Sequence, residues 1–360
     1  MKQPKVAIII IHYNTPHYLK TCLDSIFSQS YKNIDVYFID NNSPDKGGLY
    51  FVKKAYIETA KRDGRRLNII GNKENLGYAK AANQGIKLAL ENGADYVVIT
   101  NPDIIYTEKY FEKVLYRADK DPTVAGITGK VYKYDFKEKE ETKMIDTVGL
   151  YVNKSFRIVD GGQGIMDEGQ FDKEREVFGI SGACPLYKKS ALEAAKITLE
   201  GTDSVDEYFD EDFFMYKEDV DLAWRLQLLG YKFLYYPRAV AFHGRGTGVV
   251  KRETAKDIFK NRKNLSQFQR YYSYRNQKFL FAKNILPGNY FRHFFSIIWF
   301  QLGSFAYALF FERFLLKGVI EYIKLLPKML RKRKAIMAKR KAKSSYINSF
   351  TKKAPADRRN

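Results

Sequence analysis

Residues 6–15 read VAIIIIHYNT. The apolar run Val6–Ile11 is short and mostly β-branched, and His12-Tyr13-Asn14 follows it with no small-residue cleavage site. That reads as a buried strand rather than an export leader. The same unit recurs downstream. A helix over Pro16–Ser28 is predicted from Leu19, Leu23, Ile26 and Phe27 at helical spacing, with Pro16 in its first turn. Strands are expected at Ile34–Ile39, Leu67–Ile70 and Tyr96–Thr100, separated by helices over Asp45–Arg62 and Tyr78–Glu91. Four strand–helix repeats with short connections imply an α/β chain, a Rossmann-like and mostly parallel sheet flanked by helices. Ligands of such sheets bind beyond the carboxyl ends of the strands. Attention therefore falls on Asn14-Thr15, Asp40-Asn41-Asn42, Gly71-Asn72 and Asn101-Pro102-Asp103.

From about 130 to 250 the pattern turns to mixed α and β. Residues 132–176 are polar and Gly-rich, with Lys137–Lys143 as a solvated turn. Ile180–Tyr187 reads as a strand, Tyr216–Leu229 as a helix closed by Gly230, and Tyr231–Tyr236 and Ala239–Phe242 as two short strands. The 27 Tyr and 26 Phe among 360 residues exclude a solvated coil. Cys22 and Cys184 are far apart and outside any CxxC, which excludes a disulfide scaffold and a structural zinc site and leaves two buried thiols.

The net charge of +21 is not spread evenly. Residues 251–360 hold 27 Lys/Arg against 5 Asp/Glu, while the first 250 residues balance close to zero. A basic end on a neutral globule points to a polyanionic partner surface. A helical segment over Glu253–Lys283 precedes the charge-free stretch Phe294–Phe311, FFSIIWFQLGSFAYALFF, whose 18 residues sit at the lower limit for a membrane span. Lys317, Lys324, Lys328, Arg331-Lys332-Arg333-Lys334, Arg340 and Lys341 follow. An apolar helix followed by a basic cluster suits an anionic membrane surface, at the cytoplasmic leaflet, rather than nucleic acid. Residues 251–330 are thus expected as a helical membrane-associating region and 331–360 as a basic, disordered tail.

Two acidic features carry chemistry. Asp103, just past the fourth strand, is placed to hold a hard divalent cation such as Mg2+ or Mn2+. The segment Phe209–Asp221 interleaves six carboxylates with Phe209, Phe213, Phe214, Met215 and Tyr216. Carboxylates forced against apolar groups and one another have raised pKa values, which suits a general base. Glu218-Asp219 also opens a helix whose other faces are apolar. His243 ends a short strand and is a further candidate ligand.

The ordered set Asn14, Asp40-Asn41-Asn42-Ser43, Asn75-Leu76-Gly77-Tyr78-Ala79, Asn101-Pro102-Asp103, Ser181-Gly182-Ala183, Tyr216–Arg225 and His243 resembles the family 2 glycosyltransferases of the GT-A fold, most closely their rhamnosyltransferase-like branch. The resemblance covers about residues 4–250, and Tyr274-Arg275-Asn276 resembles that branch's downstream helix. It implies a catalytic domain over 1–250, with a nucleotide-sugar half (1–130) and an acceptor half (131–250). It also implies inverting transfer of a sugar, a deoxyhexose such as rhamnose, from a dTDP or UDP donor to a glycan or lipid-linked glycan in cell-surface polysaccharide synthesis. Asn14, Thr15, Asp40, Asn42, Asn75, Gly77, Lys80, Asn101 and Asp103 match the donor-binding positions, with Asp40 reading the base. Asp103 and His243 match the metal site. Asp219 matches the base, with Glu218 beside it, and Ser181, Gly182, Asp212 and Tyr216 lie on the acceptor side. Asn101-Pro102-Asp103 retains only the last carboxylate of the Asp-X-Asp found in many relatives. A nucleotidyltransferase is disfavoured because no Gly-rich triphosphate loop follows Val6–Ile11, and a dehydrogenase because no GxGxxG does. A non-enzymatic polyanion-binding protein would have no need of paired carboxylates among aromatics.

Overall fold

The computed structural model describes residues 3–201, 204–244, 262 and 264–352. The first half of the helix expected from Glu253, together with Arg245 and residues 353–360, lies outside the described residues. The strands are β1 Val6–His12, β2 Ile34–Asp40, β3 Leu67–Gly71, β4 Tyr96–Thr100, β5 Ile104–Tyr106, β6 Val124–Asp135, β7 Glu140–Thr147, β8 Leu150–Val152, β9 Ile158–Asp160, β10 Arg175–Val177, β11 Leu186–Lys188, β12 Ile197–Leu199, β13 Val205–Glu207 and β14 Lys232–His243. The helices are α1 Pro16–Phe27, α2 Gly47–Arg62, α3 Gly77–Glu91, α4 Tyr110–Ala118, α5 Lys189–Ala195, α6 Glu218–Leu228, α7 Gln267–Asn284, α8 Pro287–Arg292, α9 Phe294–Phe310, α10 Leu316–Ala338 and α11 Ser344–Ser349.

Ten strands form one sheet in the order β10-β14-β6-β11-β4-β1-β2-β3, with β5 added to β14 and β7 to β6. The β3-β2-β1-β4 part is parallel throughout. β11 enters antiparallel between β4 and β6. β1 explains itself: Val6, Ile8 and Ile10 face the core beneath α1, α2 and α4, while Ala7, Ile9 and Ile11 face the core beneath α3 and α6. A strand between two helical layers is apolar at every position, as its sequence is. The strand order reverses at β1, with β2 on one side and β4 on the other, so the crevice opens past the carboxyl ends of these two strands.

Several boundaries differ from the sequence reading, each for a physical reason. Strand structure over 180–187 is confined to Leu186–Lys188, because Gly182-Ala183 forms a turn. α6 starts at Glu218, not Tyr216, because Tyr216 and Lys217 sit at φ 70° and 69°. The two short strands after Gly230 are one strand, β14, with a register shift between Tyr236 and Val240 at Pro237-Arg238, where proline cannot donate to the ladder. The largest difference is at the end of the chain. The basic stretch from 331, expected as a disordered tail, continues α10 to Ala338, and α11 follows. Met329, Ile336, Ile347 and Phe350 are buried in the same core as Phe279 and Trp224. Every fourth or so residue of the basic run faces inward, and that periodicity is enough to dock it.

Candidate active site

Four neighbouring strands build the acidic corner of the crevice. β5 pairs antiparallel with the end of β14, setting His243 opposite Ile104 and hence beside Asp103. β14 runs parallel to β6, and β6 pairs with β7, which carries Asp146. His243 Nε2 lies 3.2 Å from Asp103 Oδ1, and its Nδ1 lies 2.8 Å from Asp146 Oδ2. Burial alone would lower the His243 pKa, but the Asp103 and Asp146 carboxylates outweigh it and push it up to about 10. Burial likewise opposes ionisation of Asp103, yet the imidazolium holds it below its ordinary value. The imidazole is therefore cationic at neutral pH and bridges two carboxylates. A divalent cation would take the place of the Nε2 proton: once deprotonated there, His243 Nε2 and an Asp103 oxygen would serve as mixed N/O donors, and Asp146 would fix the ring from its far nitrogen as an orienting carboxylate does in metal sites.

The second cluster rests on α6. Asp219 Oδ2 accepts a hydrogen bond from the Gly182 N–H at 2.9 Å, and Oδ1 accepts from Val220 N–H at 2.7 Å. The turn at 182 is what aims that N–H. Glu218 is buried, and its Oε2 has no hydrogen-bond partner among the described residues. Burial, then the Asp219 charge, push the Glu218 pKa up to about 8. Burial also raises Asp219, with Gly182 N–H opposing and Asp160 adding to the rise. The start of the helix favours negative charge, so desolvation wins over the helix dipole here. Tyr78, on α3, links the two clusters. Its hydroxyl is buried without a partner among the described residues, and its pKa is raised by burial and then by Glu218, Asp219 and Asp103 alike. Thr100, at the end of β4, donates to Ala183 O at 3.1 Å, so the strand end that leads to Asp103 adjoins the turn whose Gly182 N–H holds Asp219.

The backbone leading into α6 is strained. Phe214, Tyr216 and Lys217 all have φ between 61° and 70°. Each such residue costs on the order of 1 kcal/mol or more. α7 holds them there. Asn276 Nδ2 donates to the carbonyls of Phe213, Met215 and Tyr216 at 3.0, 2.9 and 2.7 Å. Arg275 donates to those of Asp212 and Phe213 at 2.6 and 3.0 Å. At about 1 kcal/mol net each, these bonds match the strain. From the other side Ala79 N–H donates to Phe214 O at 3.1 Å, and a Cβ on Gly77 would lie 2.5 Å from the Phe214 ring.

A family model described as glycosyl transferase family 2 matches residues 7–195. The chain belongs to glycosyl transferase family 2. Glycosyltransferase GlyG of Streptococcus pneumoniae serotype 4 is 27% identical over 130 residues, 36% of this chain and 40% of that protein. N-acetylglucosaminyl-diphospho-decaprenol L-rhamnosyltransferase of Mycobacterium tuberculosis is 23% identical over 254 residues, 66% of this chain and 75% of that one. The match thus spans well under half of GlyG, and 29% of the related S. pneumoniae GlyA. The structure of GalNAc-T7 with UDP, GalNAc and Mn2+ superimposes with a TM-score of 0.51 at 13% identity, covering 85% of this chain and 57% of that one. The fold is GT-A: the mixed, largely parallel sheet with its helical layers, extended by a helical C-terminal region.

Within this family 2 chain the anticipated residues fall into place unequally. Asp103, His243, Glu218, Asp219 and Gly182 meet in the two clusters just described. Ser181 is buried beside Gly182, and Tyr216 lies half-buried in the strained loop. Asn14 (φ 52°) and Asn42 (φ 61°) stand at the ends of β1 and β2, with Asn14 N–H donating to Ser43 Oγ at 2.9 Å. Thr15 Oγ1 is buried without a partner among the described residues, Asn101 is half-buried and Lys80 is exposed on α3. Four of the expected residues are engaged within the protein itself. Asp40, expected to face a base, is fully buried: its oxygens accept from His12 Nδ1 at 3.1 Å, Ser43 N–H at 3.3 Å and Lys46 Nζ at 3.2 Å. Through these bonds it organises the loop. Gly77 lies under Phe214, and Asn75 Oδ1 accepts from Asn41 Nδ2 and Gly77 N–H, both at 2.9 Å, so these two shape the loop more directly than they face the crevice. Asp212, expected on the acceptor side, is bound by Lys328 and Lys332, both at 2.8 Å. The ligand atoms of Glu207, Asp210 and Asp212 lie within 4.8 Å of one another, a cation-like spacing, but the Lys332 ammonium is already among them. Asp146 and Asn41 were missed. Asp146 had a signal, a lone carboxylate within the apolar strand end Met144-Ile145-Asp146-Thr147-Val148. Asn41, hydrogen-bonded to Asn72, Asn75, Leu76 and Gly77, sat in a quoted motif without a role.

Proposed function

We propose that this chain transfers a sugar from a nucleotide-diphosphate donor to a hydroxyl of a glycan or lipid-linked glycan, with inversion at the anomeric carbon. The observation that carries the reading is Asp219, oriented by two backbone N–H groups at a turn that Thr100 ties to the strand end leading into the Asp103–His243–Asp146 corner. Inversion in one displacement needs a base on the acceptor side, opposite the departing group, as in inverting glycosidases. Asp219 takes the acceptor proton on its carboxylate. Its raised pKa brings it nearer the working pH, and the Gly182 and Val220 N–H groups fix the direction in which it accepts. Glu218, whose pKa rises to about 8, stays protonated at neutral pH and so spares Asp219 a second negative charge beside it.

Asp103 and His243 would hold a divalent cation, Mg2+ or Mn2+, which when bound neutralises charge on a departing diphosphate. Asp146 keeps the imidazole turned toward that position. Asn14, Thr15 and Asn42 line the nucleotide end of the crevice, and Tyr78 walls the space between the clusters. Membership of family 2 and the order of the motifs support glycosyl transfer. The name of the mycobacterial relative supports rhamnose as the sugar and a diphospho-lipid as the carrier of the acceptor, and that of Amylovoran biosynthesis glycosyltransferase AmsB, from Erwinia amylovora and 24% identical over 242 residues, accords with a biosynthetic role, which we take to be cell-surface polysaccharide synthesis from a dTDP or UDP donor.

The test is binding of nucleotide sugars with and without Mn2+, read by thermal shift and calorimetry. Mn2+ should tighten the diphosphate-sugar complex about tenfold or more, and Asp103→Ala should abolish that increment while leaving free nucleoside binding in place. Proton NMR of the product should show an inverted anomeric centre. Metal-independent donor binding in the wild type, or retained configuration, would overturn the reading.

A further inference from the structure

α9 is charge-free from Phe294 to Phe310 yet buries only Ile297 and Ala308 among its described residues. Phe295 and Trp299 are 86% and 82% exposed, and Phe291, Leu302, Phe310 and Phe311 are exposed as well. On α9, Phe295, Trp299 and Leu302 recur at three- and four-residue spacing and form one stripe, with exposed Phe291 on the short helix α8 just before it. A helix apolar on nearly all sides belongs inside a core or against lipid, and an apolar stripe this long left in water marks a contact surface. The helix is too short to cross: 17 residues at 1.5 Å give roughly 25 Å against a hydrocarbon core of about 30 Å. No single described helix is long and apolar enough to span a membrane, and the axis turns by 118° between α9 and α10. Past that turn α10 presents exposed Ile320 and Ile323 beside exposed Lys317 and Lys324, then Arg331 and Lys334.

We propose that α9 and the first turns of α10 form an in-plane anchor that seats in the boundary between headgroups and acyl chains of an anionic bilayer, within one leaflet. The aromatic stripe supplies apolar burial and the flanking lysines and arginines meet lipid phosphates, the two signals that interfacial anchoring needs together. Charge decides against a second copy as the occupant, because pairing these faces would bring two chains of net charge +21 together. The anchor also sits beside the active site. Phe156, in the loop between β8 and β9, stacks on Trp224 of α6 at 5.6 Å and meets His293, the residue before α9, at 5.7 Å. The bilayer would thus lie next to the helix that carries Glu218 and Asp219, where an acceptor embedded in lipid arrives, a placement that rests on the proposed transferase reading.

The experiment is flotation of the full chain with phosphatidylcholine vesicles and with vesicles containing about one third phosphatidylglycerol, alongside analytical ultracentrifugation without lipid. The wild type should float with the anionic vesicles, less with neutral ones or in high salt, and alkaline carbonate should release it. Phe295→Ser with Trp299→Ser, and separately Lys317→Gln with Lys324→Gln, should each weaken flotation at least about tenfold while thermal melts stay unchanged, since all four side chains are exposed. Equal flotation of the wild type and the Phe295/Trp299 variant would overturn the proposal, as would resistance to carbonate, the mark of a span. A lipid-free dimer dissolved by the same substitutions, with no flotation of the wild type, would show that a second copy covers the stripe. Flotation does not depend on sugar transfer, so its failure and that of the transferase reading are separable.

Discussion

Glu218 and Asp219 are neighbours in sequence but not in environment. Asp219 is half-buried and accepts two backbone hydrogen bonds, whereas Glu218 is buried with an oxygen that has no partner among the described residues. Burial raises both pKa values, and Glu218 reaches about 8. Glu218 binds its proton more tightly folded than unfolded, where its ordinary value is 4.5. The stability it contributes is complete below about pH 4.5 and is lost as pH rises through about 8. Glu218→Gln cannot ionise. Its melting temperature should therefore exceed that of the wild type by a margin that widens, to a few degrees, between about pH 5 and pH 9. In the same variant the inflection of kcat/KM near 8 should vanish while the acid limb set by Asp219 remains. Melting curves that run parallel across this range would contradict the assignment.

At the scale of elements, the C-terminal helices are part of the catalytic domain. Lys332 on α10 lies among Glu207, Asp210 and Asp212 at 2.5, 2.5 and 2.8 Å, and Lys283 on α7 bridges Asp210 and Asp221. The four carboxylates before and within the first turn of α6 are thereby balanced by Lys283, Lys328 and Lys332, more than sixty residues downstream, together with Arg225 of α6 itself. Lys332→Met would leave buried carboxylates without their cation and should cost about 3–5 kcal/mol in urea unfolding. The exposed Lys334→Met should stay within about 0.5 kcal/mol. Equal midpoints for the two variants would contradict the role. This network also shows where sequence reading stops. The acidic–aromatic segment was legible as unusual because carboxylates next to Phe213 and Phe214 are not a solvated face. Which of those carboxylates faces the crevice was not legible, since the deciding partners, Lys283, Lys328 and Lys332, lay in a stretch that reads as a basic tail. Its hidden signal was inward-facing Met329, Lys332 and Ile336, masked by charge on every other side.

Over the whole molecule, the parallel half of the sheet was readable because each strand there is apolar on both faces and each helix amphipathic. The antiparallel insertion of β11, the bulge in β14 and the turn at Gly182 were not, because they depend on pairings between residues 37 to 110 positions apart. The crevice mixes both kinds. Asp103 and Asn14 follow from the strand–helix rhythm, whereas the Asp103–His243–Asp146 corner exists only because β5, β14, β6 and β7 come to lie side by side. Asp219 concentrates the account, since fold, strained loop and α6 all serve to present one carboxylate. The direct measurement is single-turnover transfer by Asp219→Asn, with donor affinity determined in parallel. The substitution keeps shape and the acceptor geometry for the Gly182 N–H but removes the proton acceptor. Donor binding should be unchanged and the rate lower by about a hundredfold to ten-thousandfold. Transfer at a near wild-type rate would contradict it and move the base to Glu218.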